Sequence, residues 1–274
     1  MSDAGSLPSA GGLAEHPAGA PPSRLRLADW AAGPAGDPTV RLWAPAPGVT
    51  VVLAHTDAVL SALEAVDRLR PEEYRSAATM APWRGREHLA GRALLRLLLA
   101  EVAGEEDARA PVVPEPAGRP RLPGSPGTGV SISHSGSYVA AAVGAGLDVG
   151  VDVQVARPPS PAMVRRCCTP RTAARLASMA PDRAARVFAR VWTVQEACVK
   201  AHGTGLSGAP WRVRAAPDGR AGTWGGLHWR RPPRPAAVCA ETITMACAFG
   251  PAEARPPHTT GAAGRRPAPV PRRP

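Results

Sequence analysis

Four side chains in the second half of the chain have the types and spacing to do metal or phosphate chemistry. Asp152 and Gln154 stand two apart in Leu147-Asp148-Val149-Gly150-Val151-Asp152-Val153-Gln154-Val155, and Glu196 and Lys200 stand four apart in the stretch Val191 to Leu206. Residues two apart on a strand share a face, so the oxygens of Asp152 and Gln154 can converge on one point. With a third oxygen from Glu196, the set suits a hard cation such as Mg²⁺. That ion takes few protein carboxylates and completes its shell with water and substrate phosphate. Taken alone, Glu196 and Lys200 make a solvated pair worth about 0.2–0.5 kcal/mol. Composition argues against that reading. Among 33 Lys and Arg residues, Lys200 is the only lysine, so the position calls for a compact ammonium rather than a planar guanidinium.

The elements that must position these groups are legible from periodicity. Val187, Val191, Val194 and Cys198 fall on one helical face, and Phe188, Trp192 and Val199 widen it. Glu196 and Lys200 lie opposite, and Gly203 and Gly205 end the helix. Residues 147–155 alternate strictly, with Val149, Val151, Val153 and Val155 on one side. Val130 to Val143 reads as strand, polar turn, strand. The turn gathers Ser133, His134, Ser135 and Ser137 around Gly136, and Ser133 and His134 are candidate anion ligands. Arg84 to Val102 is the strongest helix of the first half. Leu94, Leu95, Leu98, Leu99 and Val102 form its core face, with Arg86, His88, Arg92 and Arg96 along the solvated remainder. Arg matches phosphate oxygens bidentately, so one of these could serve a phosphate.

Around these, residues 39–43 and 48–53 read as strands, and 57–70 as a helix that Pro71 stops. A short helix restarts at Pro71. Residues 161–180 carry helical pieces, and 211–214, 227–230 and 242–249 read as further strands.

The chain has 274 residues, 44% of them hydrophobic, enough for a real core. Residues 1–38 and 251–274 are rich in Pro, Gly, Ala or Arg and are expected to be disordered tails. The net charge of +11 fits nucleic acid, an anionic membrane, an acidic protein or a phosphorylated small molecule. No nucleic-acid-binding signature accompanies it, and two Phe and two Tyr supply few stacking platforms. A basic protein binding nucleic acid through its Arg-rich tail is the rival from another class. The five cysteines, Cys167, Cys168, Cys198, Cys239 and Cys247, show no zinc spacing, and Cys198 and Cys247 are expected core thiols. A reducing cytoplasmic compartment, no secretory signal and no membrane span are the expectations.

Three stretches, in order and spacing, resemble the phosphopantetheinyl transferases that serve secondary-metabolite assembly lines: Ser131-Ile132-Ser133-His134-Ser135-Gly136, Gly150-Val151-Asp152-Val153-Gln154, and Trp192 through Leu206. The helix ending Gly91-Arg92-Ala93-Leu94-Leu95-Arg96 and the loop Gly118-Arg119-Pro120 are also similar. The resemblance spans roughly residues 40–250 and implies an α+β fold. The fold has two similar halves related by a pseudo-two-fold, here 39–146 and 147–250, with coenzyme A bound between them. The implied reaction moves the phosphopantetheine arm of coenzyme A to a serine of an apo acyl or peptidyl carrier protein, with Mg²⁺. A monomer is expected.

Carried over by resemblance, Asp152 and Glu196 hold Mg²⁺ with Gln154. Glu196 is the base for the carrier serine, directly or through a metal-bound water, and Lys200 stabilises or protonates the leaving phosphate. Ser133 and His134 grip the 3′-phosphate, and Arg119, Arg86, His88 and Arg92 are further candidates for coenzyme A. Two positions depart from the family pattern. Gln154 stands where Glu is frequent, which predicts weaker metal binding or a water in its place. Gln195 stands where Lys is frequent, which removes a cation near the phosphates. The rival within this class is a degenerate homologue that binds coenzyme A or carrier without transfer.

Overall fold

The computed structural model describes residue 27, residues 40–233 and residues 243–252. Apart from Leu27 and residues 251–252, where Pro251 closes the last strand rather than opening a tail, the expected tails lie outside the described residues, as does Cys239. Leu27 is an exception to the expected N-terminal tail: it is buried in the first hydrophobic core.

Strands β1 (Val40–Ala46) and β2 (Val49–His55) form a hairpin. Helices α1 (Thr56–Ser61), α2 (Leu63–Val66), α3 (Pro71–Ala78), α4 (Pro82–Val102) and α5 (Glu105–Arg109) follow. The short pair β3 (Val113–Pro114) and β4 (Pro120–Arg121) leads to β5 (Thr128–Ser135) and β6 (Tyr138–Ala145). Then come β7 (Leu147–Val155), α6 (Pro161–Cys167), α7 (Pro170–Ala177), α8 (Pro181–His202), β8 (Ala221–Trp224), β9 (Leu227–Arg230) and β10 (Ile243–Pro251).

The result is α+β, as expected. Two four-stranded antiparallel sheets run in the orders β1-β2-β6-β5 and β7-β10-β9-β8, and each carries one long helix. α4 packs on the first sheet, burying Leu94, Leu95, Leu98 and Leu99 against Val52, Val130 and Val139. α8 packs on the second, burying Val194, Ala197, Cys198 and Ala201 against Trp229, Ala246 and Ala248. Between them the sheets share a core of Val49, Val51, Ala140, Ala142, Val149, Val151, Val153, Met245, Cys247 and Phe249. Apolar area removed from water on both faces of each sheet is the main stabilising term. Burial pushes the Cys198 thiol up to about 12, in keeping with an inert core thiol.

Strands β5 and β7 are the inner edges of the two sheets, and their junction is made by side chains. The amides of Val151, Val153 and Val155 donate to the hydroxyls of Ser131, Ser133 and Ser135, at 3.0, 3.2 and 3.0 Å. Three hydroxyls at period two thus satisfy backbone donors that a neighbouring carbonyl would otherwise take. The sequence placed Ser133 and Ser135 in a polar turn; the structure places them inside β5, with the turn at Gly136 (φ +58°).

Four other expectations are corrected. The helix expected over 57–70 breaks at Ala62, which adopts extended φ −82°, ψ 102°. Val102, expected in the core, is exposed. Arg96, expected on a solvated face, is fully buried. Its guanidinium pairs bidentately with Glu73 (2.9 and 2.8 Å) and donates to the carbonyls of Ala108 and Ala110. Periodicity missed it because a buried charge is tolerated when every donor has a partner. Residues 211–214 form no strand: Pro210–Arg212 is a 3₁₀ turn that follows Ala209 at φ +54°, and Pro210 lacks the N–H a ladder needs. Among the described residues no helix is long and apolar enough to cross a membrane.

Candidate functional site

The site lies where α8 crosses β7. Gly150 decides how close the two come. A Cβ there would overlap the Ala197 carbonyl and the Ala201 amide, so only glycine lets the helix backbone rest on the strand. The helix ends promptly: Gly203 takes the left-handed conformation (φ 74°), and its N–H bonds to the carbonyls of Val199 and Lys200. Lys200 is therefore held in the last turn, above the face of β7 that carries Asp152.

Lys200 Nζ lies 2.6 Å from Asp152 Oδ1, 3.0 Å from Ser133 Oγ and 3.2 Å from the Val151 carbonyl. An ammonium has three N–H donors, and each has an acceptor here. A planar guanidinium could not meet three convergent acceptors, which accounts for lysine at this one position. Ser133 donates to Asp152 Oδ1 at 2.8 Å while accepting from Val153 and Lys200. Its single donor and both lone pairs are used in this arrangement.

Two carboxylate oxygens remain. Asp152 Oδ2 and Glu196 Oε1 are both buried without a hydrogen-bond partner, which is rare for buried polar atoms. Burial pushes the Glu196 carboxyl above its ordinary range, the Asp152 charge pushes it further, and Lys200 opposes both. The two carboxyls are thus close enough for the Asp152 charge to act on Glu196. Among the described residues no three His, Cys, Asp or Glu side chains converge into a protein cage. Two orphaned oxygens do fit an ion that takes one or two carboxylates and fills its shell with phosphate and water. Gln154, expected as the third ligand, donates its Nε2 to the Val155 carbonyl at 3.3 Å, a bond made through the nitrogen and not through the oxygen a metal would take.

The remaining candidates divide. His134 is half-exposed, with Nδ1 3.2 Å from Glu87 Oε2, an ion-pair distance off the line of a hydrogen bond. Partial burial holds the His134 ring below the usual histidine range; Glu87 opposes this, and Lys200 and Arg84 reinforce it. His88 lies close enough to His134 to feel its charge. Its Nε2 is buried without a partner, and burial, then Arg92, lowers its basicity. Of the two rings, His134 is the one close enough to Lys200 to feel its charge.

Arg92 donates to the Val112 carbonyl at 3.5 Å and lies close enough to His88 to act on it, and Arg86 pairs with Asp57 on the surface at 2.8 Å. Arg119, expected at coenzyme A, pairs with Asp148 and donates to the Ala201 carbonyl at 3.0 Å. It clasps the β4 loop to β7 and to the end of α8.

Gln195, read as a lost cation near the phosphates, is buried on another side of α8. Its Nε2 donates to the carbonyls of Cys167 (2.8 Å) and Val213 (3.1 Å), so it anchors α6 and the segment after the 3₁₀ turn. Sequence reasoning missed Glu87 against His134 and the Ser131 and Ser135 bridges. The Ser-x-Ser-x-Ser period was the available signal for the bridges; for Glu87 there was none.

Comparison with known proteins agrees with this geometry. The model of the 4'-phosphopantetheinyl transferase superfamily matches residues 148–239, and that of the 4'-phosphopantetheinyl transferase N-terminal domain matches residues 72–144. A 4'-phosphopantetheinyl transferase of Bacillus subtilis is 29% identical over 119 residues, covering 43% of this chain and 53% of the relative. The 4'-phosphopantetheinyl transferase HetI of Nostoc sp. is 30% identical over 131 residues, covering 46% and 55%. The chain thus spans about half the length of the curated relatives it matches. With the two models matched in order along the chain, and Asp152 and Lys200 both inside the second match, the chain belongs to the 4'-phosphopantetheinyl transferase superfamily.

Proposed function

We propose that this protein transfers the 4'-phosphopantetheine arm of coenzyme A to a serine of an apo acyl or peptidyl carrier protein, with Mg²⁺. The observation that carries the reading is the pair of buried, unpartnered oxygens on Asp152 and Glu196 beside the Lys200 ammonium. Such a cluster is costly in a resting protein and is expected where a charged ligand will complete it.

Mg²⁺ held by Asp152 and Glu196 would neutralise charge on the diphosphate of coenzyme A. In the transfer, the serine oxygen of the carrier forms a bond to the phosphorus that bears the pantetheine arm. The P–O bond to adenosine 3′,5′-bisphosphate breaks, and that product leaves with the bond's electron pair. Glu196, its basicity raised by burial, accepts the serine proton. All three donors of Lys200 are engaged in the resting protein, so it acts on the leaving phosphate through its positive charge. His134 and His88 supply the candidate contacts to the 3′-phosphate. A net charge of +11 favours both an anionic substrate and an acidic carrier.

The test is to incubate the protein with apo carrier, coenzyme A and Mg²⁺ and to weigh the carrier by mass spectrometry. Appearance of the phosphopantetheine adduct supports the reading. An unmodified carrier across several acyl and peptidyl carriers overturns it; retained coenzyme A binding would then leave the degenerate homologue standing.

A further inference from the structure

A cavity of about 330 Å³ lies between the junction of α6 and α7 and the segment that follows the 3₁₀ turn. Cys167 and Val213, both buried, form part of its floor, and the half-buried Trp211 one wall. Gln195 fixes that floor from α8, because its Nε2 donates to the Cys167 and Val213 carbonyls. The rim carries three exposed arginines, Arg166, Arg212 and Arg214. None of the residues lining the cavity belongs to the transfer site, and no Asp or Glu is among them.

The arginines are arranged as a ligand would need them. Arg166 Cζ lies 3.6 Å from the centre of the Trp211 ring. A guanidinium stacked on an indole is held by its face and keeps its N–H edge for an anion. Arg68, Arg96, Arg119 and Arg175 each pair with a carboxylate. Among the described residues Arg166, Arg212 and Arg214 do not. A concave surface lined by charges of one sign concentrates its field in the cavity and draws in the opposite charge.

We propose that this cavity binds a small molecule that carries a carboxylate or a phosphate on an apolar body. The oxyanion meets the arginine rim, which matches its oxygens bidentately. The body fills the floor of Cys167 and Val213 and packs against Trp211. The volume is that of a small-molecule site, and such sites join an apolar lining to a few placed polar groups. A bare inorganic ion would meet the rim and leave the floor unfilled. The proposal does not depend on the transfer reaction.

The experiment titrates the full chain by calorimetry with phenyl phosphate, benzoate, inorganic phosphate and uncharged benzyl alcohol, each with and without excess coenzyme A. Arg166→Gln, Arg212→Gln and Arg214→Gln are compared with Arg75→Gln, an exposed arginine of α3. Melting temperatures are measured in parallel.

Phenyl phosphate and benzoate should bind saturably whether or not coenzyme A is present. Inorganic phosphate should bind at least about tenfold more weakly than phenyl phosphate, because it lacks the apolar body. Benzyl alcohol should show no saturable binding. Arg166→Gln and Arg212→Gln should each weaken phenyl phosphate about fivefold or more, and Arg75→Gln should leave it within about twofold. Equal affinity in all variants overturns the proposal, as does failure of every probe to bind. Displacement of phenyl phosphate by coenzyme A overturns it by placing the anion at the transfer site. A raised KM for the carrier in the rim variants, with no probe bound by wild type, overturns it in favour of a protein contact. If Arg166→Gln does not fold, the Arg212 and Arg214 variants decide. A wild-type protein that transfers nothing would remove the reaction assignment and leave these titrations unaffected.

Discussion

Lys200 Nζ meets Asp152 Oδ1 at 2.6 Å across two elements, although Glu196 stands one turn away on its own helix. The i,i+4 spacing therefore does not make the ion pair; α8 resting on Gly150 does. The pair gives the buried Asp152 carboxylate a countercharge while leaving Glu196 without a hydrogen-bonded one. That asymmetry gives the two carboxylates different work. Asp152 is neutralised and fixed, and Glu196 has raised basicity and a free oxygen.

The first prediction concerns that pair. Lys200→Ala leaves Asp152 buried with no ammonium and frees the Ser133 and Val151 acceptors. The side chains are 27% and 8% exposed, so part of the penalty is screened by solvent. A loss of roughly 1–3 kcal/mol is expected by denaturant unfolding. Lys200→Arg should recover little of it, since the guanidinium cannot serve the same three acceptors. Unchanged stability in both variants would contradict the geometry.

The second prediction follows from Glu196. Its carboxyl is raised above the ordinary value of 4.5, first by burial and then by Asp152. The folded protein thus holds that proton more tightly than the unfolded chain. The associated stability is fully present below about 4.5 and is lost as pH rises through the folded-state value. In chelator, Glu196→Gln should melt at a higher temperature than wild type at pH 7, and the gap should close on acidification. A gap that stays constant from pH 7 down to pH 4 would show the carboxyl is not strained. Transfer by this variant should be abolished if Glu196 takes the serine proton.

These two side chains also show how far the sequence could be read. The alternating strand and the amphipathic helix were legible because each has one unbroken period, and the resemblance brought Asp152 and Glu196 to one place. What stayed hidden depended on partners distant in the chain. Arg96 looked solvated because its partners, Glu73 and the carbonyls of Ala108 and Ala110, come from α3 and the end of α5. Ser133 looked like a free hydroxyl because nothing local shows that β5 meets β7 through side chains. Gln195 looked like a substituted active-site cation because helical spacing does not say which neighbour each face meets. The hairpin β8–β9 was missed on its first strand, although Gly225-Gly226 between the two is a recognised turn signal.

The third prediction takes up Gln195. Its amide holds the Cys167 and Val213 carbonyls and is essentially buried. Gln195→Lys puts a buried ammonium in place of a neutral amide, so a loss of roughly 2–4 kcal/mol is expected by chemical unfolding. The KM for coenzyme A should stay near wild type where the variant remains folded. A tighter KM would restore Gln195 to the phosphate site and overturn the structural reading.

The last prediction separates the metal ligands by a readout independent of turnover. An ion that binds only the folded protein raises its melting temperature by mass action. Mg²⁺ should therefore raise the melting temperature of wild type, because Asp152 Oδ2 and Glu196 Oε1 lack partners without it. Asp152→Asn and Glu196→Gln each remove a carboxylate charge and should lose most of that response. Gln154→Ala should keep it, with apparent Mg²⁺ affinity within about threefold of wild type, because the two unpartnered carboxylate oxygens already supply the few protein ligands that Mg²⁺ takes before water and phosphate fill its shell. A loss beyond about tenfold in Gln154→Ala would place Gln154 among the ligands after all. A wild-type protein indifferent to Mg²⁺, with coenzyme A present or absent, would remove the cation from this site.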